Sequence, residues 1–184
     1  MGKRQPLDLD RVSTYADTMR AYIDRATLSD VEDAATWYDE ATVIADDIAR
    51  RMNLTREHGA AIISAFSPRM PWARNVALAL AFADGEDVRA MGSHIRAAHA
   101  CAADGIDALR GPKTNAFARA IAGDDEAIVI DVWMMRAAGL ETDAPTVVQY
   151  REISAAIDRL SREYGMAPRV TQALIWIVVR GGAH

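Results

Sequence analysis

The sequence predicts an all-helical fold, and three observations predict it. Apolar residues recur at three-to-four spacing along most of the 184 positions. Apart from Gly59, glycine and proline fall between those stretches or at their ends. Only one run, Ala127 to Ile130, reads as extended, and four residues make a connection rather than a sheet. The expectation is one all-helical domain over residues 1–184.

Taken in order, Tyr15, Met19, Tyr22 and Ile23 form the first apolar stripe. Ser29-Asp30-Val31-Glu32 has the form of a capping box, predicting a helix from there through Trp37, Ala41, Ile44 and Ile48. Thr55 to Phe66 is the third helix, ended by Ser67-Pro68 because the residue before proline avoids the helical region. After the loop Ser67 to Pro71, a helix runs from Trp72 to Phe82. Ser93 is the expected cap of the next, which reaches Ala103 before Asp104-Gly105. Gly111-Pro112 opens a helix to Ala122, since proline suits the first helical position. Asp131 starts another that ends near Gly139, and Thr146 to Tyr164 and Pro168 to Arg180 complete the chain, each closed by glycine.

Composition narrows the function classes. The single cysteine, Cys101, excludes an internal disulfide and any four-cysteine zinc or iron-sulfur site within the chain, and reads as a small packed residue in a reducing compartment. The N-terminus lacks an apolar signal core and no run reaches the length of a spanning helix, so the expected location is the cytoplasm, with no membrane partner. A net charge of −5 argues against a uniformly basic nucleic-acid coat. Its distribution is uneven. Leu28 to Ile48 holds seven acids and no bases, whereas Arg69, Arg74, Arg110, Lys113 and Arg119 lie in stretches poor in acids, which allows a basic face on an acidic molecule.

Metal and common nucleophile motifs are missing. His94 and His99 are five apart, which separates them on a helix, and no glycine-rich phosphate loop or Ser-His-Asp arrangement occurs. No cofactor or metal is expected. Trp37 and Trp176 lie on apolar stripes and read as core.

The informative segment runs from Leu109 to Leu140. Eleven helical residues rise about 16 Å and five extended ones span about 16 Å, so the chain can go out along Pro112 to Ala122 and return from Ala127 to Asp131. That path predicts Asp131 close to Lys113. Lys113 falls in a first helical turn, where the positive dipole end favours a neutral, nucleophilic amine. Asp131 caps the following helix, as a carboxylate suited to stabilising positive charge on a sugar or to positioning an attacking group. Ser67-Pro68-Arg69-Met70-Pro71-Trp72 combines rigid prolines with an arginine for phosphate and an indole for stacking.

These pieces carry a resemblance. Leu109-Arg110-Gly111, Lys113-Thr114, Ile128-Val129-Ile130-Asp131 and Arg136 resemble the helix-hairpin-helix (HhH-GPD) DNA glycosylase superfamily, of the endonuclease III-like kind, in which a hairpin leads to Lys-Thr and an apolar run leads to an aspartate. Ile63 to Ser67 resembles that family's helix before its DNA-wedging loop, and Pro168 to Gly181 its closing helix. The resemblance covers residues 55–182, leaving 1–54 as additional N-terminal helices. It implies a DNA partner, Lys113 and Asp131 as catalytic residues, and DNA or base contacts from Ser67, Arg69, Trp72, Asn75, Arg110, Gly111, Thr114 and Trp133. Departures are visible. The hairpin is two residues shorter than usual, Pro112 removes a backbone donor, Trp133 replaces a small or polar residue, and the cluster cysteines of some relatives are missing.

The implied activity is excision of a modified or damaged base by cleavage of its N-glycosidic bond. The pattern Ser67-Pro68, Trp72, Asn75 with Gly111-x-Lys113 and Asp131-x-Trp133 also resembles bacteriophage proteins, and phages use this fold to attach amino acids or amines to activated 5-hydroxymethyluracil in DNA. That implies a second activity, transfer, in a host cytoplasm. A non-catalytic DNA-binding relative is the third reading, and the oligomeric state is left open.

Overall fold

A computed structural model describes residues 6–182. Nine α-helices and one 3-10 turn account for the regular structure of those residues: α1 Leu9–Asp24, α2 Leu28–Met52, α3 Arg56–Phe66, α4 Trp72–Ala83, α5 Gly92–Asp104, the turn Gly105–Ala108, α6 Pro112–Ala122, α7 Val132–Ala137, α8 Val147–Tyr164 and α9 Pro168–Arg180. No strand occurs among the described residues; Ala127 to Ile130 is an extended connection.

Local chemistry sets most of the helix ends. The Asp8 carboxylate accepts from the backbone N–H of Asp10 and Arg11 and starts α1. Thr146 and Gln149 form a reciprocal capping box at α8. The expected box at Ser29 to Glu32 lies two residues earlier: the Thr27 N–H donates to Asp30 Oδ2 and the Asp30 N–H to Thr27 Oγ1. Thr27 wins because the aspartate three residues on, rather than Glu32, reaches back. Ser93 does not cap α5, whose preceding residue is Met91.

The helices form two units. One holds residues 6–37 and 128–182, the other residues 38–127, so the boundary falls inside α2 between Trp37 and Tyr38.

In the first unit, α1 packs against α8 and α9, and α9 also packs against α7 and α8. The face of α1 carrying Val12, Tyr15, Ala16, Met19 and Ile23 is buried, as is the Ile153, Ala156, Ile157 and Leu160 stripe of α8. Polar contacts fix the pairing of α1 and α8. Arg20 binds both oxygens of Glu163, at 3.1 and 2.7 Å. The fully buried Glu152 accepts from the Asp8 N–H at 3.3 Å and lies 3.6 Å from the Arg11 guanidinium.

In the second unit, α3 is the central element, packed against α4, α5, α6 and the 3-10 turn. Every residue from Gly59 to Phe66 is buried, the pattern of a helix covered all round. Gly59 lets α2 and α3 approach: a Cβ there would sit 2.1 Å from the Ala45 carbonyl oxygen.

Candidate functional site

Lys113 and Asp131 belong to different units, and the surroundings of each are built by different physics. Lys113 is the second residue of α6, half-buried, and makes no hydrogen bond or ion pair with any described residue. The turn before it is tied down by side chains. Asn115 Nδ2 donates to the carbonyls of Leu109 and Ile106, at 3.3 and 3.4 Å. Thr114 Oγ1 donates to the Gly111 carbonyl at 3.1 Å, and the buried Ser64 hydroxyl of α3 donates to the Thr114 carbonyl at 2.7 Å. Gly111 has φ −76°, a backbone open to any residue, so this turn is held by Asn115 and Thr114 rather than by the conformational freedom of glycine.

Asp131 sits at the end of the extended run, where the buried Val129 and Ile130 anchor the chain and Tyr150 Oη donates to the Ile128 carbonyl at 2.9 Å. Its Oδ1 accepts from the backbone N–H of Trp133 and Met134, at 2.9 and 3.0 Å, and so caps α7. Its Oδ2 accepts from Trp176 Nε1 on α9 at 3.0 Å. Trp176 also packs against Trp37, with ring centroids 5.9 Å apart, and carries the Arg180 guanidinium over its face at 4.5 Å. Two residues past the cap, Trp133 is half-buried under the Arg136 guanidinium, 4.6 Å from its ring centre.

A carboxylate held this way has donors on both oxygens from two helices, which fixes its plane. It has roughly four acceptor positions, so the three donors leave one vacant, on Oδ2. Asp131 is half-buried rather than sealed off, and a carboxylate with an acceptor position to spare is suited to a developing positive charge or to a proton to be moved.

The remaining residues expected at the site divide by accessibility. Arg69 and Arg110 are exposed and pair with no described acid. Arg69 adopts φ 58°, the left-handed region, at the tip of the Ser67 to Pro71 loop. Ser67 spends its hydroxyl on the Ser64 carbonyl at 2.8 Å. Trp72 is half-buried and meets the Phe117 ring edge-on at 6.4 Å. Asn75 is 1% exposed, and its Oδ1 meets no donor among the described residues. Of the basic residues expected on one face, Arg119 is committed to Asp124, whereas Arg74 is exposed and pairs with no described acid.

In the acidic stretch, Asp46 pairs with Arg56 and Asp47 with Arg50 and Arg51. Among the described residues no group of three or more His, Cys, Asp or Glu side chains could hold a metal ion, and no helix is long and apolar enough to cross a membrane.

A family model described as a family of unknown function, DUF7178, matches residues 3–183. The chain belongs to that family. No curated protein and no solved structure matches it. Within this DUF7178 chain, Trp176 and Asn115 were missed by sequence reasoning. Trp176 lies on an apolar stripe, where an indole reads as core, and its N–H partner is 45 positions away. Asn115 did carry a signal: asparagine inside a helix is unfavourable unless its amide bonds backbone nearby.

Proposed function

We propose that this chain is a DNA base-processing enzyme that excises a modified base by cleaving its N-glycosidic bond. The observation that carries the reading is the Asp131 carboxylate, capped onto α7 through Oδ1, held by Trp176 through Oδ2, and still half exposed. A half-exposed aspartate oriented from two helices is suited to stabilising the oxocarbenium-like charge that builds on deoxyribose as the base departs. Lys113, half-buried and paired with no described residue, is the amine that the resemblance implies. Its nitrogen forms a bond to C1′, the bond from C1′ to the base breaks, and the base leaves with the electron pair and takes up a proton. Loss of the amine proton and opening of the sugar ring give an imine.

The test is mass spectrometry of nucleosides and bases after incubation with DNA carrying modified bases, together with borohydride trapping. Release of a free base, with a reduced covalent adduct in the wild-type chain and none in Lys113→Gln, is the expected result. A heavier, intact nucleoside formed from hydroxymethylated DNA and an amine replaces excision by transfer. DNA binding without any change in the nucleosides reduces the chain to a binding protein.

A further inference from the structure

We infer that Trp176 is a positioning residue for Asp131, acting through its indole N–H; this deepens the base-processing reading and rests on it. An aspartate that only caps a helix keeps one oxygen free to swing. Here the oxygen not used by the cap is the one Trp176 holds, at 3.0 Å, so the two donor sets act on opposite sides of the carboxylate. The indole is itself fixed. Trp37 packs on its ring, and Arg180, one turn further along α9, lies over its face. A cation over the face draws electron density from the ring, which strengthens the N–H as a donor. The result is a preorganised carboxylate with one acceptor position to spare, on Oδ2, the arrangement that lowers reorganisation during charge development. If only apolar filling mattered at position 176, phenylalanine would serve.

Two measurements on the full chain test this. The protein has four tryptophans, so a nitrogen-15 spectrum contains four indole signals. Trp176→Phe removes one and assigns it; if that variant does not fold, the Phe variants of Trp37, Trp72 and Trp133 assign it by elimination. Asp131→Asn puts a neutral acceptor in place of the carboxylate and is expected to move the Trp176 signal upfield. A Trp176 signal indifferent to Asp131→Asn overturns the inference.

The second measurement is single-turnover base release. Trp176→Phe is expected to slow it by about tenfold to a hundredfold, the worth of a hydrogen bond to a charged group, with DNA affinity unchanged. The double variant Trp176→Phe with Asp131→Asn is expected to be no slower than Asp131→Asn alone. A wild-type rate in Trp176→Phe overturns the inference as well. A wild-type chain that alters no DNA base, while its Trp176 signal still answers to Asp131→Asn, instead overturns the base-processing reading and with it the catalytic use of the contact.

Discussion

The Ser64 hydroxyl, buried within α3, donates a 2.7 Å hydrogen bond to the Thr114 carbonyl in the first turn of α6, one residue beyond Lys113. This bond joins the central helix of its unit to the turn that carries the lysine. Ser64→Ala is expected to destabilise the chain by about 1 kcal/mol, the net worth of one such bond. Ser64→Val should cost more, because it adds volume at a covered position as well. Urea midpoints at constant slope check both, and an unchanged midpoint for Ser64→Ala would show the bond contributes nothing.

Gly59 is where the sequence tolerates least. A Cβ at this position would lie 2.1 Å from the Ala45 carbonyl oxygen and 2.9 Å from its carbon, and backbone cannot step aside as a side-chain end can. Gly59→Ala should therefore cost about 3 kcal/mol or more, despite the better helix propensity of alanine. Gly92→Ala is the control, since its Cβ would meet only the mobile end of Arg96, at 3.3 Å. Thermal melts of the two variants should diverge; similar melts would refute the close approach of α2 and α3.

Asp131 separates scaffold from chemistry. Asp131→Asn keeps a capping oxygen and should cost little stability, whereas Asp131→Ala loses the cap and leaves the Trp176 N–H without its acceptor, for about 2 kcal/mol in all. On the base-processing reading, both variants should slow base release by orders of magnitude, because both remove the charge. Equal stability losses for the two would mean that the cap is not what Asp131 contributes.

The exposed arginines predict a salt signature. Arg69 is strained at φ 58°, so Arg69→Gly should hold stability level or raise it by a few tenths of a kcal/mol to about 1 kcal/mol. On the DNA-binding reading, the same change and Arg110→Ala should each weaken binding and flatten the slope of log affinity against log salt by about one unit. Arg119→Ala should do less, because Asp124 already takes that charge. Fluorescence anisotropy at several salt concentrations decides, and an unchanged slope for Arg69→Gly with Arg110→Ala moves the DNA contact elsewhere.

Acid should weaken the second unit's ion pairs in a definite window. Hydrogen bonds from Arg56 hold the Asp46 carboxyl below its ordinary 3.8, and hydrogen bonds from Arg51 do the same for Asp47. A carboxyl lowered in the folded state adds stability above the unfolded value and loses it as pH falls through the folded one. Any advantage of the wild-type chain over Arg56→Gln with Arg51→Gln should thus be small at neutral pH, since the pairs are exposed, begin to fall near pH 3.8 and be lost at still lower pH, as the folded-state values are passed. Melts from pH 7 to pH 2.5 test it, and an advantage that grows in acid contradicts the pairing.

The helix ends were legible in the sequence because they depend on neighbours in the chain. Pro112 opens α6, Gly123 and Gly165 close α6 and α8 in the left-handed region, and Asp131 caps α7, each through contacts within a few residues. Helix α3 ends at Phe66 as Ser67-Pro68 predicts, but for another reason, since Ser67 keeps helical angles, φ −69° and ψ −27°, and the missing N–H of Pro68 is what interrupts the helix. The same physics explains the slip at α2, where two overlapping threonine and serine boxes competed and side-chain reach chose Thr27. Everything that depends on distant positions came only with the tertiary structure. Trp176 and Glu152 look like core filler and surface charge on their own helices. One is a donor to a carboxylate on α7, and the other is a fully buried acceptor beneath the start of α1. Asn75, expected at a DNA contact, is buried, and Arg119 is spent on Asp124. Periodicity tells which face of a helix turns inward, but the polar group that face will meet is fixed only when another helix packs against it.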